Sequence, residues 1–429
     1  MNKVIMPVHS LRGSVQAPPD KSIAQRAALF ALLSDKKSVI RNYPSAADPQ
    51  TALACIKTLG ATIEGGNNQL VITGTGRSGL PKDAGIIDCG NSGTTMRLLA
   101  GILAGSGSAA VLTGDASLNK RTMKRIVDPL REMGAVINAA EGDVAPLHIM
   151  PAHSLHGITF ELPVPSAQLK SCILLAGLFT DGTTVIETVP SRNHTEKILD
   201  LETVRTNGQL SIHSSRNHPI PTIDLTIPGD FSSAAFWLTA GLIYPDSEVT
   251  IKSTGLNPTR SAAMNILRRM GANILVINKT GSFPEPMGDI RVVTSDLKPT
   301  RIQPEEIPNC IDELPVISVA MAFADGISEF RGAEELRHKE CDRIDAVARM
   351  LRAAGVNVTE FADGLKIYGK PGRIPMAAVY ESYHDHRIAM SAAILAGLSR
   401  TPSTICHADA ASVSYAEFWQ HFDILAGRR

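Results

Sequence analysis

The side chains best suited to hold an anion or move a proton fall in a handful of short stretches. They read DKSIAQR from Asp20, GNSGTTMR from Gly90, GDASLNKRTMKR from Gly114, SAQLK from Ser166, SRN around Arg192, IDELP around Asp312, RHKECDR from Arg337 and YHDHR from Tyr383. Two kinds of chemistry are represented. The arginines can grip phosphate or carboxylate through a two-pronged fork, and Lys21, Lys120, Lys170 and Lys339 can serve as point charges. Asp312 and Glu340 can accept and deliver protons. A phosphate carries about −1.5 to −2 charges near neutral pH, so a site for such ligands needs several cations.

Most of these stretches open helices. After Arg26 the chain is almost nothing but Ala, Leu and Phe as far as Leu33. The same pattern, a polar start, an apolar helix, a small turn and a short β-rich run, recurs from Gly90, Ser166, Gly229, Asp312 and Asp385. Six copies spaced by about 70 residues exceed any solenoid period. A second element alternates with the first: a helix, a glycine, then a strand, around Gly60, Gly134, Gly271 and Gly355, with a weaker fifth copy around Gly208 and no visible sixth. Glycine suits the left-handed position after a helix, and the β-branched run beyond it suits a strand. Each repeat is therefore α/β, with one all-apolar and one amphipathic helix. The all-apolar helices must be packed on every side and are expected inside. Six repeats divide into two domains of three, with a crossover near Pro228-Gly229.

A helix N-terminus carries unpaired N–H groups and a partial positive charge, so it favours anions. Yet Lys21 and Arg26, Arg97, Lys170, and His386 with Arg387 lie near the starts of four of the six apolar helices. A shared anionic ligand would account for all four. In the Arg337 stretch, Lys339 and Arg343 lie four residues apart on one face, and Ile344, Val347 and Leu351 form the apolar stripe.

Composition narrows the classes. The chain has 429 residues, 44% of them hydrophobic, with 42 basic and 42 acidic side chains, which argues against a nucleic-acid tail or polybasic membrane patch. Aromatics at 4% give poor material for base stacking. The six cysteines form no CxxC pair, consistent with reduced thiols in the cytoplasm. The N-terminus lacks the apolar region of a signal peptide, and the most apolar run, 96–112, is short and glycine-rich for a membrane span.

Taken in order, DKSIAQRA, GNSGTTMRL, GDASLNKRTM, SAQLKS, PGDFSSAAF, IDELP, RHKECDR and YHDHRIAMS resemble the motifs of the 5-enolpyruvylshikimate-3-phosphate synthase family over nearly the whole chain. The resemblance implies an inside-out α/β barrel architecture, the enolpyruvyl transferase fold, with two domains of three βαβαββ repeats and the active site in the interdomain cleft. Residues 18–229 would form the N-terminal domain, on the shikimate 3-phosphate side. Residues 1–17 plus 230–429 would form the C-terminal domain, on the phosphoenolpyruvate side. The implied reaction transfers the enolpyruvyl group of phosphoenolpyruvate to the 5-hydroxyl of shikimate 3-phosphate, a step towards chorismate and the aromatic amino acids. No cofactor or metal is implied, and a cytoplasmic monomer that binds neither nucleic acid nor membrane is expected.

Carried over position by position, the resemblance places Lys21, Ser22, Arg26, Ser166, Ala167, Gln168 and Arg192 on shikimate 3-phosphate. It places Asn91, Gly93, Arg97, Arg121, Arg343, His386 and Arg387 on phosphoenolpyruvate, with Lys21 and Gln168 reaching both substrates. Asp312 would take the hydroxyl proton, with Lys339 beside it, and Glu340 would protonate the methylene carbon. Gly93 would leave room for the inhibitor glyphosate. Pro19, Gln25, Thr122, Val413 and Ala416 depart from the usual pattern, and Val413 stands where many members have a lysine. The alternatives are a UDP-N-acetylglucosamine enolpyruvyl transferase, which carries a cysteine in the loop equivalent to Gly114–Met123 where this chain has none, and a non-catalytic anion-binding paralogue.

Overall fold

The computed structural model describes residues 1–152, 155–281 and 284–428. Its six apolar helices are α1 (Lys21–Leu32), α2 (Gly93–Ser106), α3 (Ala167–Gly177), α4 (Phe231–Ile243), α5 (Leu314–Ala322) and α6 (His386–Ala396). All are interior elements: Ile23 to Leu32 of α1 and Phe231 to Leu242 of α4 are buried without a break. Each fully buried Leu, Ile or Phe contributes about 1.5–3 kcal/mol by leaving water, which outweighs the weak amphipathicity of these helices. Five of the six begin with a side-chain cap. Asp20, Ser92, Ser166, Asp230 and Asp385 each accept a backbone N–H from the first turn. In α5 a proline in the first turn removes one N–H that would need a cap.

Two compact units result. The N-terminal unit is Pro19–Ile227 together with a short stretch around Glu285, and the C-terminal unit is the remainder, including Met1–Pro18. In the first, α2 packs on both α1 and α3. The contact with α3 is close because Gly101 lies where a Cβ would come 2.2 Å from the Cys172 carbonyl oxygen. In the second, α4, α5 and α6 pack on one another.

Six small sheets occur among the described residues, one per repeat. In the second repeat Asp83–Asp88 and Ala109–Thr113 flank α2 and pair in parallel, and the hairpin Val136–Ala140/Val144–Met150 adds antiparallel strands. The first and fourth repeats exchange their leading strands. Arg12–Gln16 precedes α1 but pairs with Glu248–Gly255 after α4, and Asp224–Thr226 precedes α4 but pairs with Lys37–Arg41 after α1.

The helix–glycine–strand element is present at Gly60, Gly134, Gly271 and Gly355, all with positive φ. At Gly60 the turn is closed by Gly60 N–H to Lys57 O and Ala61 N–H to Ile56 O, both 3.0 Å. The fifth copy is not at Gly208. Asn207 and Gly208 form the tight turn of the hairpin Thr203–Thr206/Gln209–Ser214, both with positive φ. Asp200 (φ 53°) takes the glycine's place after helix His194–Ile198, with Leu201 N–H on Glu196 O at 2.8 Å. A sixth copy does exist. Helix Phe418–Leu425 ends at Gly427 with the same pair of bonds, and the sheet of that repeat is completed by Lys3–Ile5 from the start of the chain. Among the described residues no helix is long and apolar enough to cross a membrane.

Candidate active site

In the N-terminal unit the tips of α1, α2 and α3 are laced together by side chains. Gln25 of α1 donates to Ser92 and Thr95 at the start of α2. Arg97 of α2 donates to Gln168 of α3 at 2.6 Å, and Gln168 donates back to Thr94 at 2.9 Å. Arg26 closes the ring, with Nε on Thr195 at 3.0 Å and a terminal nitrogen on Ser171 of α3 at 3.3 Å. Three helix starts and their free N–H groups are thereby gathered at one place.

Gly93 lies at that place. A Cβ there would stand 2.9 Å from one nitrogen of Arg97 and 3.6 Å from one nitrogen of Arg121, so two guanidinium groups converge over the bare backbone that opens α2. Arg121 is fixed by Asn91 at 2.7 Å, and Asn91 by Asp115, also 2.7 Å. The hydrogen bond from Asn91, with the Leu118 N–H, holds the Asp115 carboxyl below its ordinary range, so this anchor stays ionised. Lys21 is half-exposed and pairs with Asp48 at 2.8 Å. The buried Arg26 guanidinium has its pKa lowered to about 10, first by burial and then by repulsion from Arg192, against Glu196, Asp20 and Glu285. Two arginines close enough to repel form a ready seat for an anion. Ser22, Ser166, Ala167 and Arg192 are all half-buried around these groups.

Lys170 does not join them. Its side chain is wholly buried, 2.8 Å from Glu187 and 2.6 Å from Glu196. The expectation that it meets a shared ligand is overturned, because two internal carboxylates already neutralise it.

In the C-terminal unit the tips of α4, α5 and α6 are laced by ions instead. Arg260 bridges the cap of α4, Asp230 at 2.7 Å, to the cap of α5, Glu313 at 3.1 Å, which also accepts the Ser232 hydroxyl. Arg343, buried at the start of helix Arg343–Ala353, reaches Asp385 at 2.8 Å, Glu340 at 2.6 Å and Asp312 at 3.5 Å. Arg387 holds the Asp312 backbone carbonyl at 2.8 Å and its carboxylate at 3.8 Å. Burial works to lower the Arg343 pKa, yet Asp385, Glu340 and Asp312 raise it overall. Burial likewise pushes Asp385 up, and Arg343 and His386 more than offset it, leaving Asp385 below the usual carboxylate range. The two shifts favour the charged forms of both partners. The two acids expected to move protons stand in different surroundings: Asp312, 19% exposed, lies between two arginines, and Glu340, 50% exposed, has Arg343 on one side. Lys339 does not share a helix face with Arg343 as expected, because the helix begins only at Arg343 and Lys339 is extended backbone before it; it pairs with Glu335 at 2.7 Å. His386 is half-buried at the first position of α6, and Val413 is exposed at the end of Ala408–Val413.

The structure adds groups that type and spacing alone did not single out. Gln25, a departure from the usual pattern, ties two helix tips together. Asp230, Arg260 and Glu313 lock α4 to α5 across 30 and 53 residues of chain. Only the placement of Asp230 in GDFSS hinted at this.

Known proteins resemble this chain over nearly its whole length. The family model described as EPSP synthase (3-phosphoshikimate 1-carboxyvinyltransferase) matches residues 5–422. A Salinibacter ruber protein named 3-phosphoshikimate 1-carboxyvinyltransferase is 48% identical, covering 96% of this chain and 96% of its own. One of the same name from Chloroflexus aurantiacus is 45% identical over 96% of this chain and 95% of its own. Among solved structures, an EPSP synthase from Acinetobacter baumannii superposes with TM-score 0.89 at 35% identity, covering 99% of this chain and 98% of that one. The enolpyruvyl transferase NikO from Streptomyces tendae, 16% identical with TM-score 0.75, covers 98% of this chain and 96% of its own and shares the fold.

Proposed function

The chain belongs to the EPSP synthase family, and from that premise we propose that it transfers the enolpyruvyl group of phosphoenolpyruvate to the 5-hydroxyl of shikimate 3-phosphate, releasing phosphate. This is a step of the shikimate pathway, which supplies chorismate and the aromatic amino acids. The observation that carries the reading is the pair of guanidinium groups over Gly93 at a helix N-terminus, a seat for the phosphate that leaves.

In this reading Gly93, Arg121, Asn91 and Arg97 receive the phosphoenolpyruvate phosphate. Arg26, Ser22, Ser166, Ala167, Gln168 and Arg192 hold shikimate 3-phosphate, with Lys21 between the substrates. Arg343, Arg387 and His386 take the phosphoenolpyruvate carboxylate. Of Arg343's three carboxylates Glu340 is the most exposed, and it is the one able to give way.

The chemistry balances with two carboxyl groups. Glu340 delivers a proton to the methylene carbon, so C2 becomes cation-like. The 5-hydroxyl oxygen bonds to C2 and its proton passes to Asp312, with Lys339 stabilising the developing alkoxide. Phosphate then departs from C2 as Glu340 takes a proton back from the new methyl group, and the proton on Asp312 leaves with phosphate. Both acids return to their starting states.

Phosphate release is measured with phosphoenolpyruvate plus shikimate 3-phosphate and again with UDP-N-acetylglucosamine. Turnover with the first acceptor alone is expected; turnover with the sugar nucleotide, or with neither, refutes the reading. Activity should survive dialysis against a chelator, because neither metal nor cofactor has a step to perform. Gly93 leaves the space beside Arg97 and Arg121 open, so millimolar glyphosate should inhibit. We read the protein as a cytoplasmic monomer; its six free cysteines suit a reducing compartment.

A further inference from the structure

Behind the cations assigned to substrate lies an ion cluster that no step above uses. Lys170 of α3 sits 2.8 Å from Glu187, which ends strand Thr183–Glu187, and 2.6 Å from Glu196 of helix His194–Ile198. None of the three side chains is more than 3% exposed. Replacing a buried ion cluster with well-packed apolar residues is often neutral or stabilising, so this one is poorly explained by stability.

Its connections suggest another role. The second oxygen of Glu187 accepts the Ser191 backbone N–H at 3.2 Å and the Ser191 hydroxyl. Lys170 also reaches the Ser191 carbonyl at 3.5 Å. Every polar group of Ser191 is thus engaged, immediately before Arg192. On the other side, Thr195 precedes Glu196 and receives Nε of Arg26 at 3.0 Å, while its hydroxyl lies 2.6 Å from that of Ser171. Ser171 follows Lys170 and also receives Arg26, at 3.3 Å. The cluster pins α3 and helix His194–Ile198, which grip Arg26, and the turn through Ser191, which carries Arg192; both arginines are assigned to shikimate 3-phosphate.

We propose that Lys170, Glu187 and Glu196 are positioning residues that set Arg192 and Arg26 for shikimate 3-phosphate. The proposal rests on the assignment of those two arginines to that substrate. The cluster touches no substrate. It holds the turn rigid, so the phosphate seat exists before the ligand arrives and less ordering is needed on binding.

The test is Glu187→Gln, which keeps the shape, removes one charge and leaves Lys170 with a single carboxylate. The KM for shikimate 3-phosphate should rise about tenfold. The kcat and the KM for phosphoenolpyruvate should stay within about twofold, because only one substrate's seat is loosened. A merely structural role would lower kcat, raise both KM values together and lower Tm, and that pattern overturns the proposal. If Glu187→Gln fails to fold, the triple variant Lys170→Leu, Glu187→Leu, Glu196→Leu leaves no unpaired ion and is read the same way. The expected result is the same selective loss; wild-type KM values in it overturn the proposal. Arg192→Ala runs alongside and should raise the same KM by about a hundredfold. No effect there removes the premise. A loss there beside a wild-type Glu187→Gln refutes the positioning role alone.

Discussion

The two units share one plan and differ in what they place at the helix tips. Both gather three buried helices by their N-termini and close the group with side chains. The N-terminal unit does this with neutral donors and arginines, Gln25, Arg26, Arg97 and Gln168, and withdraws Glu187 and Glu196 behind Lys170 in the interior. The C-terminal unit interleaves arginines with carboxylates and leaves Asp312 and Glu340 partly open to solvent. The same backbone geometry thus serves two ends. Where the acids at the tips serve as caps and anchors, as Asp20 and Asp115 do, the helix tips and cations can hold an anion. Where acids stand among the arginines, protons can also move.

The sharpest way to break this contrast is to remove the proton chemistry alone. Asp312→Asn and Glu340→Gln should each lower kcat by about 10²–10⁴-fold while the dissociation constant for shikimate 3-phosphate stays within a few-fold. Gln168→Ala in the N-terminal unit should act chiefly on KM. A Glu340→Gln enzyme with normal turnover, or a Gln168→Ala enzyme losing kcat with KM intact, would erase the division of labour.

Next in size is a stability effect confined to the acid-bearing tips. Asp385→Ala strips the buried Arg343 of its 2.8 Å partner. Unfolding by urea should show a loss of about 3 kcal/mol, the lower end for a broken buried pair, because Asp312 and Glu340 remain near that guanidinium. A loss below about 0.5 kcal/mol would mean that the pair is no scaffold.

Gly93→Ala probes the donor-bearing tips more gently. The new Cβ would press on an Arg97 nitrogen at 2.9 Å. A guanidinium end can yield, but this one is held by Gln168 and the Thr122 carbonyl. The KM for phosphoenolpyruvate should rise by about fivefold, about 1 kcal/mol, with Tm and the KM for shikimate 3-phosphate unchanged. Equal effects on both substrates would place Gly93 elsewhere.

How far these features could be read from the chain depends on the range of the interaction. The apolar helices were legible because burial on every side demands a composition that nothing else needs. The post-helix turns were legible where glycine marks them, and were lost at Asp200, which adopts the same left-handed turn without the usual residue. Gly208 was a decoy because a hairpin turn asks for the same φ. The last repeat was hidden because its closing strand, Lys3–Ile5, lies at the other end of the chain. The site follows the same rule. Cations near helix starts could be counted, but nothing in the place of Lys170 near the start of its helix sets it apart from Lys21 or Arg97. Only Glu187 and Glu196, 17 and 26 residues away, decide that it points inward. A local pattern gives a charge; the fold decides what it meets.

The smallest predicted effect vanishes at neutral pH and appears on acidification. Carboxyls held below their ordinary range are concentrated in the C-terminal unit: Asp385, Asp289 and Glu306 in partly or fully buried pairs, with Glu248, Asp363 and Asp409 on the surface. In the N-terminal unit Asp115, near the surface, is also held low. A carboxyl whose folded pKa is depressed adds stability that is complete above its unfolded value, about 4, and is lost as pH falls through the folded value. The exposed members count for little because solvent screens them, so Asp385, Asp289 and Glu306 carry most of the effect. Acid should therefore loosen the C-terminal unit first. Both tryptophans, Trp237 and Trp419, belong to it, and Trp237 is buried against Phe418 at 4.9 Å, so the emission reports that unit alone. Below about pH 4 the emission should shift to the red while amides of α1, α2 and α3 keep their protection from hydrogen exchange. Simultaneous loss in both units, or earlier loss in α1 to α3, would show that the acids at the C-terminal tips do not set its acid stability.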